Sequence, residues 1–154
     1  MPGSGKTTIG KILAKKLGIG FYDSDKYIEK TIGKSITDIF INGEEFFRQI
    51  ETEAVKELAS KSPCIIATGG GAVKKAENIE ALKNNGIVIF INRPLENIAA
   101  GINTEKRPLL KDKKENLYKL YDERIELYKK YCDYEIINDK SLHNAVNKII
   151  SKIR

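Results

Sequence analysis

Histidine is nearly missing from this chain: His143 is the only one in 154 residues. Cysteine occurs twice, at Cys64 and Cys132, with no Cys-x-x-Cys pair and no Cys/His cluster. These shortages argue against structural zinc and against a Ser-His or Cys-His nucleophile. They also leave no disulfide framework, so both thiols are expected to be reduced and the protein cytoplasmic. Cys64 reads as a small core residue, and His143, near a helix start, as a surface or packing residue. The longest strongly apolar run, Ile87-Val88-Ile89-Phe90-Ile91, is too short to span a bilayer. Nothing at the start of the sequence reads as a secretory leader. No repeat, low-complexity tract or linker is present.

What is present has ordinary globular proportions, with 41% apolar and 31% charged residues. One domain over residues 1–154 is expected. Lysine and arginine number 27 against 21 acidic residues, a net charge of +6. The two signs are interspersed, which weakens a nucleic-acid or membrane reading and favours a solvated lysine-rich surface. A small anionic substrate fits the same balance. Neither nucleic acid nor membrane is expected as a partner, and the chain is expected to be a monomer.

Helical and strand periodicities alternate. Ile9, Ile12, Leu13 and Leu17 have helical spacing, stopped by Gly18. Ile19–Tyr22 is a short strand. Helices are expected over Lys26–Thr31, Ser35–Ile41 and Glu44–Ser60, the last with Phe47, Ile50, Ala54 and Leu58 on one stripe. Cys64–Thr68 reads as a buried strand, 77–85 as a helix and Ile87–Ile91 as a second buried strand. Pro94–Asn103 is helical, and a polar stretch follows to Lys113. Lys114–Tyr131, Tyr134–Ile137 and Ser141–Ile153 read as helix, strand and helix. The alternation predicts a three-layer α/β/α domain with a mainly parallel sheet, whose ligands bind beyond the carboxyl ends of the strands.

Gly3-Ser4-Gly5-Lys6-Thr7-Thr8 enters the first helix and matches the end of the phosphate-loop pattern G-x-x-x-x-G-K-[ST]. Its glycines allow backbone N–H groups to converge on phosphate oxygens, and the helix start adds a positive dipole end. Lys6 is expected to reach the β- and γ-phosphates and the Thr7 hydroxyl to bind Mg²⁺. The alternative is a glycine-rich helix cap with a solvated lysine. The pattern's first glycine and its preceding strand would fall before Met1. Either the sequence starts late or the sheet lacks a strand, and a late start is the expectation, because a loop without its strand would be poorly held.

Three further groups stand at strand ends or on helices. In Asp23-Ser24-Asp25, one carboxylate can hold Mg²⁺ through water and the other take a proton from a substrate hydroxyl. The alternative is a helix cap at Ser24 or Asp25. In Gly69-Gly70-Gly71-Ala72, three glycines serve either close backbone approach to a ligand or a tight strand-to-helix turn. Arg48 and Arg124 can clamp a carboxylate. The plainer reading pairs Arg48 with Glu51 as a weak i,i+3 surface couple. Arg107, in Arg107-Pro108-Leu109-Leu110, can act as a lid finger near a phosphate or be a surface residue.

In order and spacing this set resembles the shikimate kinases, within the nucleoside-monophosphate-kinase-like P-loop proteins. The resemblance covers essentially the whole chain. It implies a five-stranded parallel sheet of order 2-3-1-4-5, a substrate-binding segment at about 25–60 and a lid at about 103–113. It implies Mg²⁺-dependent transfer of phosphate from ATP to the 3-hydroxyl of shikimate, in aromatic amino acid biosynthesis. By the same resemblance Lys6 contacts the transferring phosphate, Thr7 ligates Mg²⁺ and Asp23 supports it through water. Gly3, Ser4, Gly5, Lys6, Thr7 and Thr8 bind ATP, with Arg107 from the lid. Asp25 binds substrate hydroxyls and serves as base. Arg48 and Arg124 hold the carboxylate with help from Gly69, Gly70 and Gly71. Glu51 orients Arg48, and Phe40 and Phe47 line the pocket. An arginine that many members carry near Ala100 or Gly101 is absent, and residues 138–140 are a candidate for part of the adenine site. A gluconate kinase, a non-catalytic nucleotide-binding domain and a nucleic-acid binder are the competing readings. The last rests on charge alone, and the paired arginines with the Gly-Gly-Gly-Ala turn favour shikimate over gluconate.

Overall fold

Two parallel strand pairs carry the architecture. The structure, a computed structural model, describes residues 1–101 and 110–154, without the side chains of residues 110–112. Gly20–Asp23 (β1) pairs with Cys64–Ala67 (β2), Gly20 opposite Cys64 and Asp23 opposite Ala67. Ile89–Asn92 (β3) pairs with Tyr134–Ile137 (β4), Ile89 opposite Tyr134 and Asn92 opposite Ile137. Each pair forms its own two-stranded sheet. In an order 2-3-1-4-5, strands 2 and 3 are neighbours, as are 4 and 5, and β1·β2 and β3·β4 are pairs of that kind. The chain divides into two compact units. One is Gly10–Val88; the other joins Met1–Ile9 to Ile89–Arg154.

In the unit Gly10–Val88, most of helix α1 (Lys6–Leu17) precedes β1. It ends where Gly18 takes a φ of 68°, open to glycine at little cost. Helix α2 (Ser24–Ile32) ends at Gly33, whose left-handed backbone (φ 73°) lets its N–H donate to the Glu29 carbonyl. Ser35 then caps α3 (Ile36–Phe40), accepting from the Asp38 N–H. Helix α4 (Glu44–Ala59) packs Phe47 and Ala54 against Ile28 and Ile39, with Tyr27, Ile36 and Ile50 around them. Full burial of an Ile or Phe side chain contributes about 1.5–3 kcal/mol. A short 3₁₀ turn (Ala72–Lys74) and helix α5 (Ala76–Lys83) follow β2.

In the other unit, helices α6 (Leu95–Ala100), α7 (Leu110–Tyr131) and α8 (Leu142–Ile153) accompany β3 and β4. Met1, Ile98, Ala99 and Leu117 form a buried cluster with Leu95, Leu120, Tyr121 and Tyr128. Phe90 of β3 stacks on Tyr128 of α7 at 5.0 Å between centroids. Helix α8, capped by Ser141, buries Ala145, Val146 and Ile149 on one stripe. Among the described residues no helix is long and apolar enough to cross a membrane.

Two expectations need correction. The apolar run at 87–91 overstates its strand: pairing with β4 begins at Ile89, and Ile87 is half exposed. The ladder's register, not apolar run length, sets where the strand starts. In β2 only Ala67 is fully buried, while Cys64, Ile65 and Ile66 are intermediate. Cys64 is therefore not a core residue.

Candidate active site

Asp23 ends β1 and begins α2. Its extended backbone (φ −109°, ψ 119°) makes it the N-cap, and its Oδ1 accepts the Lys26 N–H at 3.3 Å. The cap thus falls on Asp23 and not on Ser24 or Asp25, which already lie in the first helical turn. Ser24 is fully buried, and its hydroxyl accepts the N–H of Gly69 at 2.9 Å. That bond ties the start of α2 to the glycine turn after β2, the two strand ends being parallel neighbours.

The glycines at this turn are needed for proximity. Gly69 and Gly71 do not have positive φ. A methyl on Gly69 would lie 2.8 Å from Asp25 Oδ1 and 2.9 Å from Glu51 Oε1. A methyl on Gly71 would overlap the Arg48 guanidinium, only 2.5 Å from its Cζ and Nη1. Close side-chain approach, and not a left-handed turn, is therefore what excludes a Cβ here.

Helix α4 supplies the charged members. Its buried face carries Phe47, Arg48, Glu51, Ala54, Val55 and Leu58. Arg48 is 6% exposed and Glu51 0%, and Arg48 Nη1 donates to Glu51 Oε2 at 2.6 Å. The weak surface couple is thereby corrected to a buried ion pair. Removing one partner of such a pair costs about 3–5 kcal/mol. Arg48 Nε and Nη2 both donate to Glu44 Oε1 at 3.2 Å, and Lys74 Nζ donates to the same oxygen at 2.6 Å. Lys74 first, then Arg48, holds the Glu44 carboxyl below its ordinary value, against an opposing effect of burial. Phe40 and Phe47 stack at 4.4 Å, with Arg48 Cζ 5.2 Å from the Phe47 ring centre. Asp25, Arg48, Glu51, Gly69 and Gly71 thus converge: carboxylates, a guanidinium and bare backbone. Such a set can hydrogen-bond hydroxyls and grip a carboxylate.

The glycine loop belongs to the other unit. Gly3 and Gly5 have φ of 69° and 92°, conformations that L side chains rarely adopt. The Ser4 carbonyl accepts from Asn138 Nδ2 at 2.9 Å, and the Gly3 carbonyl from Arg93 Nη1 at 3.2 Å. Asn138 follows directly on β4, and its N–H donates to the Asn92 carbonyl at the end of β3. The two strand ends therefore brace the loop. Helix α1 then opens with Lys6, Thr7 and Thr8 and has no acidic side chain in its first turn. A helix N-terminus carries a positive dipole end, which favours anions. Lys6 Nζ donates to the Met1 carbonyl at 3.2 Å. The Met1 amine is lowered to about 5 by burial first, then by Lys6 and by Arg124. Two cations are therefore felt beside this loop. Arg124, on α7, is 9% exposed, and its Nε has no hydrogen-bond partner among the described residues. A guanidinium so buried is not a surface residue.

Of the expected residues, Asp23, Asp25, Arg48, Gly69, Gly70 and Gly71 fall in the first unit, and Gly3, Ser4, Gly5, Lys6, Thr7, Thr8 and Arg124 in the second. Arg107 and most of the lid at 103–113 lie outside the described residues. Sequence reading missed Glu44, Lys74 and Arg93, and it read Asn138 only as a possible adenine contact. Glu44 precedes Arg48 by four residues, a helical spacing that could have signalled the pair. Nothing local marks Lys74 or Arg93.

Parallel strands, a positive-φ glycine loop opening a helix, and functional side chains at strand ends define a P-loop α/β protein. The family model for shikimate kinase matches residues 2–154. A shikimate kinase of Clostridium botulinum (strain Eklund 17B / Type B) is 49% identical over 149 residues, 97% of this chain and 90% of that protein. A structure of shikimate kinase from Acinetobacter baumannii in complex with shikimate superposes with a TM-score of 0.88 at 38% identity, covering 98% of this chain and 87% of that one. Shikimate kinase from Aquifex aeolicus gives 0.84 at 34% identity, covering 99% and 92%. The chain belongs to the shikimate kinase family.

Proposed function

We propose that the residues described above divide the reaction between a phosphate end and an acceptor end. The family's activity is ATP-dependent phosphorylation of shikimate, giving shikimate 3-phosphate and ADP. The observation that best supports the assignment is the convergence of Asp25, Arg48 and Glu51 on Gly69 and Gly71. Arg48 grips the shikimate carboxylate bidentately, fixed by Glu51, and Arg124 is the second grip. The backbone at Gly69, Gly70 and Gly71 assists. With the acid anchored, a ring hydroxyl comes within reach of Asp25. Asp25 accepts the hydroxyl proton as the oxygen attacks the γ-phosphorus. One O–P bond forms, the bond to the β-phosphate oxygen breaks, and ADP leaves with the electron pair. Gly3, Ser4, Gly5, Thr7 and Thr8 cradle the ATP phosphates on the α1 N-terminus, and Lys6 offsets charge developing on the transferred group. Arg107 adds a cation from the lid, a role assigned on sequence alone.

Thr7 and Asp23 offer hard oxygen donors, suited to Mg²⁺. Among the described residues no three His, Cys, Asp or Glu side chains cluster as a metal cage. Thr7 would be a direct ligand of Mg²⁺ and Asp23 would act on it through water. When bound, Mg²⁺ would neutralise phosphate charge. We further place the enzyme in the cytoplasm, from its thiol pattern, and take it to be a monomer.

ADP release measured with a panel of acceptor acids tests the assignment. Shikimate should be preferred, and faster turnover of gluconate would overturn the acceptor. Asp25→Asn should lower kcat by about 10²–10⁴, whereas near-normal kcat would reject the base.

A further inference from the structure

Arg48 is already engaged on two sides. Glu51 holds Nη1, and the Nε/Nη2 edge, the edge best shaped for bidentate capture of a carboxylate, is bridged by Glu44 Oε1. The two carboxylates differ in kind. Glu51 is fully buried, whereas the Glu44 side chain is 49% exposed in the first turn of α4. Glu44 also contacts Lys74 at 2.6 Å, closer than either of its 3.2 Å contacts to Arg48. Glu44 thus sits between a buried guanidinium and a half-exposed ammonium, and the nearer partner is the one turned toward solvent.

We propose that Glu44 is a stand-in carboxylate: it occupies the Arg48 edge when no substrate is bound and yields that edge to the incoming acid, retained by Lys74. This rests on the reading of Arg48 as the carboxylate grip. Glu51 remains in place throughout and keeps the guanidinium oriented. Glu44 makes no contact with the reacting atoms; it acts through Arg48 by competition. The exchange of one carboxylate for another keeps Arg48 paired at all times, so a buried cation is never left with one face bare. It also sets a selectivity. An acceptor without a carboxylate gains nothing by meeting Arg48, because it cannot replace Glu44 there.

The sign of one substitution separates competition from support. Glu44→Gln keeps the shape and removes the charge. If Glu44 competes, shikimate should bind about two- to fivefold more tightly, the scale of a partly exposed ion pair. The methyl ester of shikimate, which lacks the anionic carboxylate, should bind with unchanged affinity. KM for ATP should not move. If Glu44 merely supports Arg48, shikimate binding weakens and the proposal fails; unchanged shikimate affinity overturns it equally. Lys74→Ala, which leaves Glu44 to Arg48 alone, should weaken shikimate binding in the native background. It should do so less in the Glu44→Gln background, and equal effects in both would remove Lys74 from the mechanism. The underlying reading has its own control. In the native protein the acid must bind more tightly than the ester, and equal affinities would mean that Arg48 does not grip the carboxylate at all. Because the amide introduced by Glu44→Gln could distort the helix start, Glu44→Ala provides a second variant, with the same expected sign.

Discussion

Gly71→Ala is a small change whose sign is fixed by the packing around it. The backbone at Gly71 has φ −94° and ψ −3°, which alanine adopts without strain. On backbone grounds alone the substitution should stabilise the fold by about 0.4–1 kcal/mol, by reducing unfolded-state freedom. The added methyl, however, would lie 2.5 Å from Arg48 Cζ and Nη1 and overlap Nη2. Ordinary contact needs about 3.5 Å, so the guanidinium must retreat by roughly 1 Å. That movement stretches the 2.6 Å bond from Nη1 to Glu51 beyond hydrogen-bond range. Breaking a buried pair costs about 3–5 kcal/mol, which outweighs the backbone gain and leaves a net loss of roughly 2–4 kcal/mol. For a chain of this size the melting temperature should fall by about 4–16 °C. A grip displaced by about 1 Å should also lower kcat/KM for shikimate by about 10–10²-fold, with KM for ATP unchanged. Thermal melts and steady-state kinetics with each substrate varied provide the readouts. A melting temperature equal to or above that of the native protein, with unaltered kcat/KM for shikimate, would refute the reasoning.

Three further predictions concern other parts of the site. Asn138→Ala removes the donor to the Ser4 carbonyl, so KM for ATP should rise while KM for shikimate stays constant; the reverse pattern would dissociate Asn138 from the phosphate loop. Glu51→Gln takes from Arg48 its buried counter-charge, leaving only the half-exposed Glu44 paired with it, and should destabilise the fold by about 3–5 kcal/mol, measured by urea unfolding; a loss under about 1 kcal/mol would return the pair to the surface class. The Cys64 thiol is pushed above its ordinary value by burial first, with Lys61 opposing. In a Cys132→Ser background, iodoacetamide should therefore label Cys64 more slowly at pH 8 in the folded protein than in the denatured one. Labelling should accelerate as the pH rises past 9, and equal folded and denatured rates would contradict the shift.

Helix ends were legible wherever glycine or serine chemistry marked them. Gly18 and Gly33 stop α1 and α2, and β4 occupies the expected Tyr134–Ile137. The cap at α2 was displaced by one residue, because Asp23 and Ser24 are both good caps and only the extent of β1 decides between them. Ser24 instead serves a residue 45 positions away, a contact that no local rule can anticipate. The burial of Glu51 was available in principle. It shares a helical phase with Phe47, Ala54 and Leu58, and a charged residue on an apolar stripe implies a buried partner. The glycine turn was undecidable from sequence, since close approach and left-handed backbone both demand glycine. The negative φ of Gly71 and the Arg48 contact decide it. The strand Ile89–Asn92 shows the limit of hydrophobic runs: Ile87 and Val88 continue the pattern but not the ladder.

The most direct test of the central claim is the fate of the γ-phosphate. Purified protein, ATP, Mg²⁺ and shikimate can be followed by ³¹P and ¹H NMR. We expect ADP and a phosphate ester at the shikimate 3-hydroxyl to accumulate in equal amounts, with ester formation suppressed by Asp25→Asn and by Gly71→Ala. ATP converted to ADP and inorganic phosphate, with shikimate left unmodified, would contradict it.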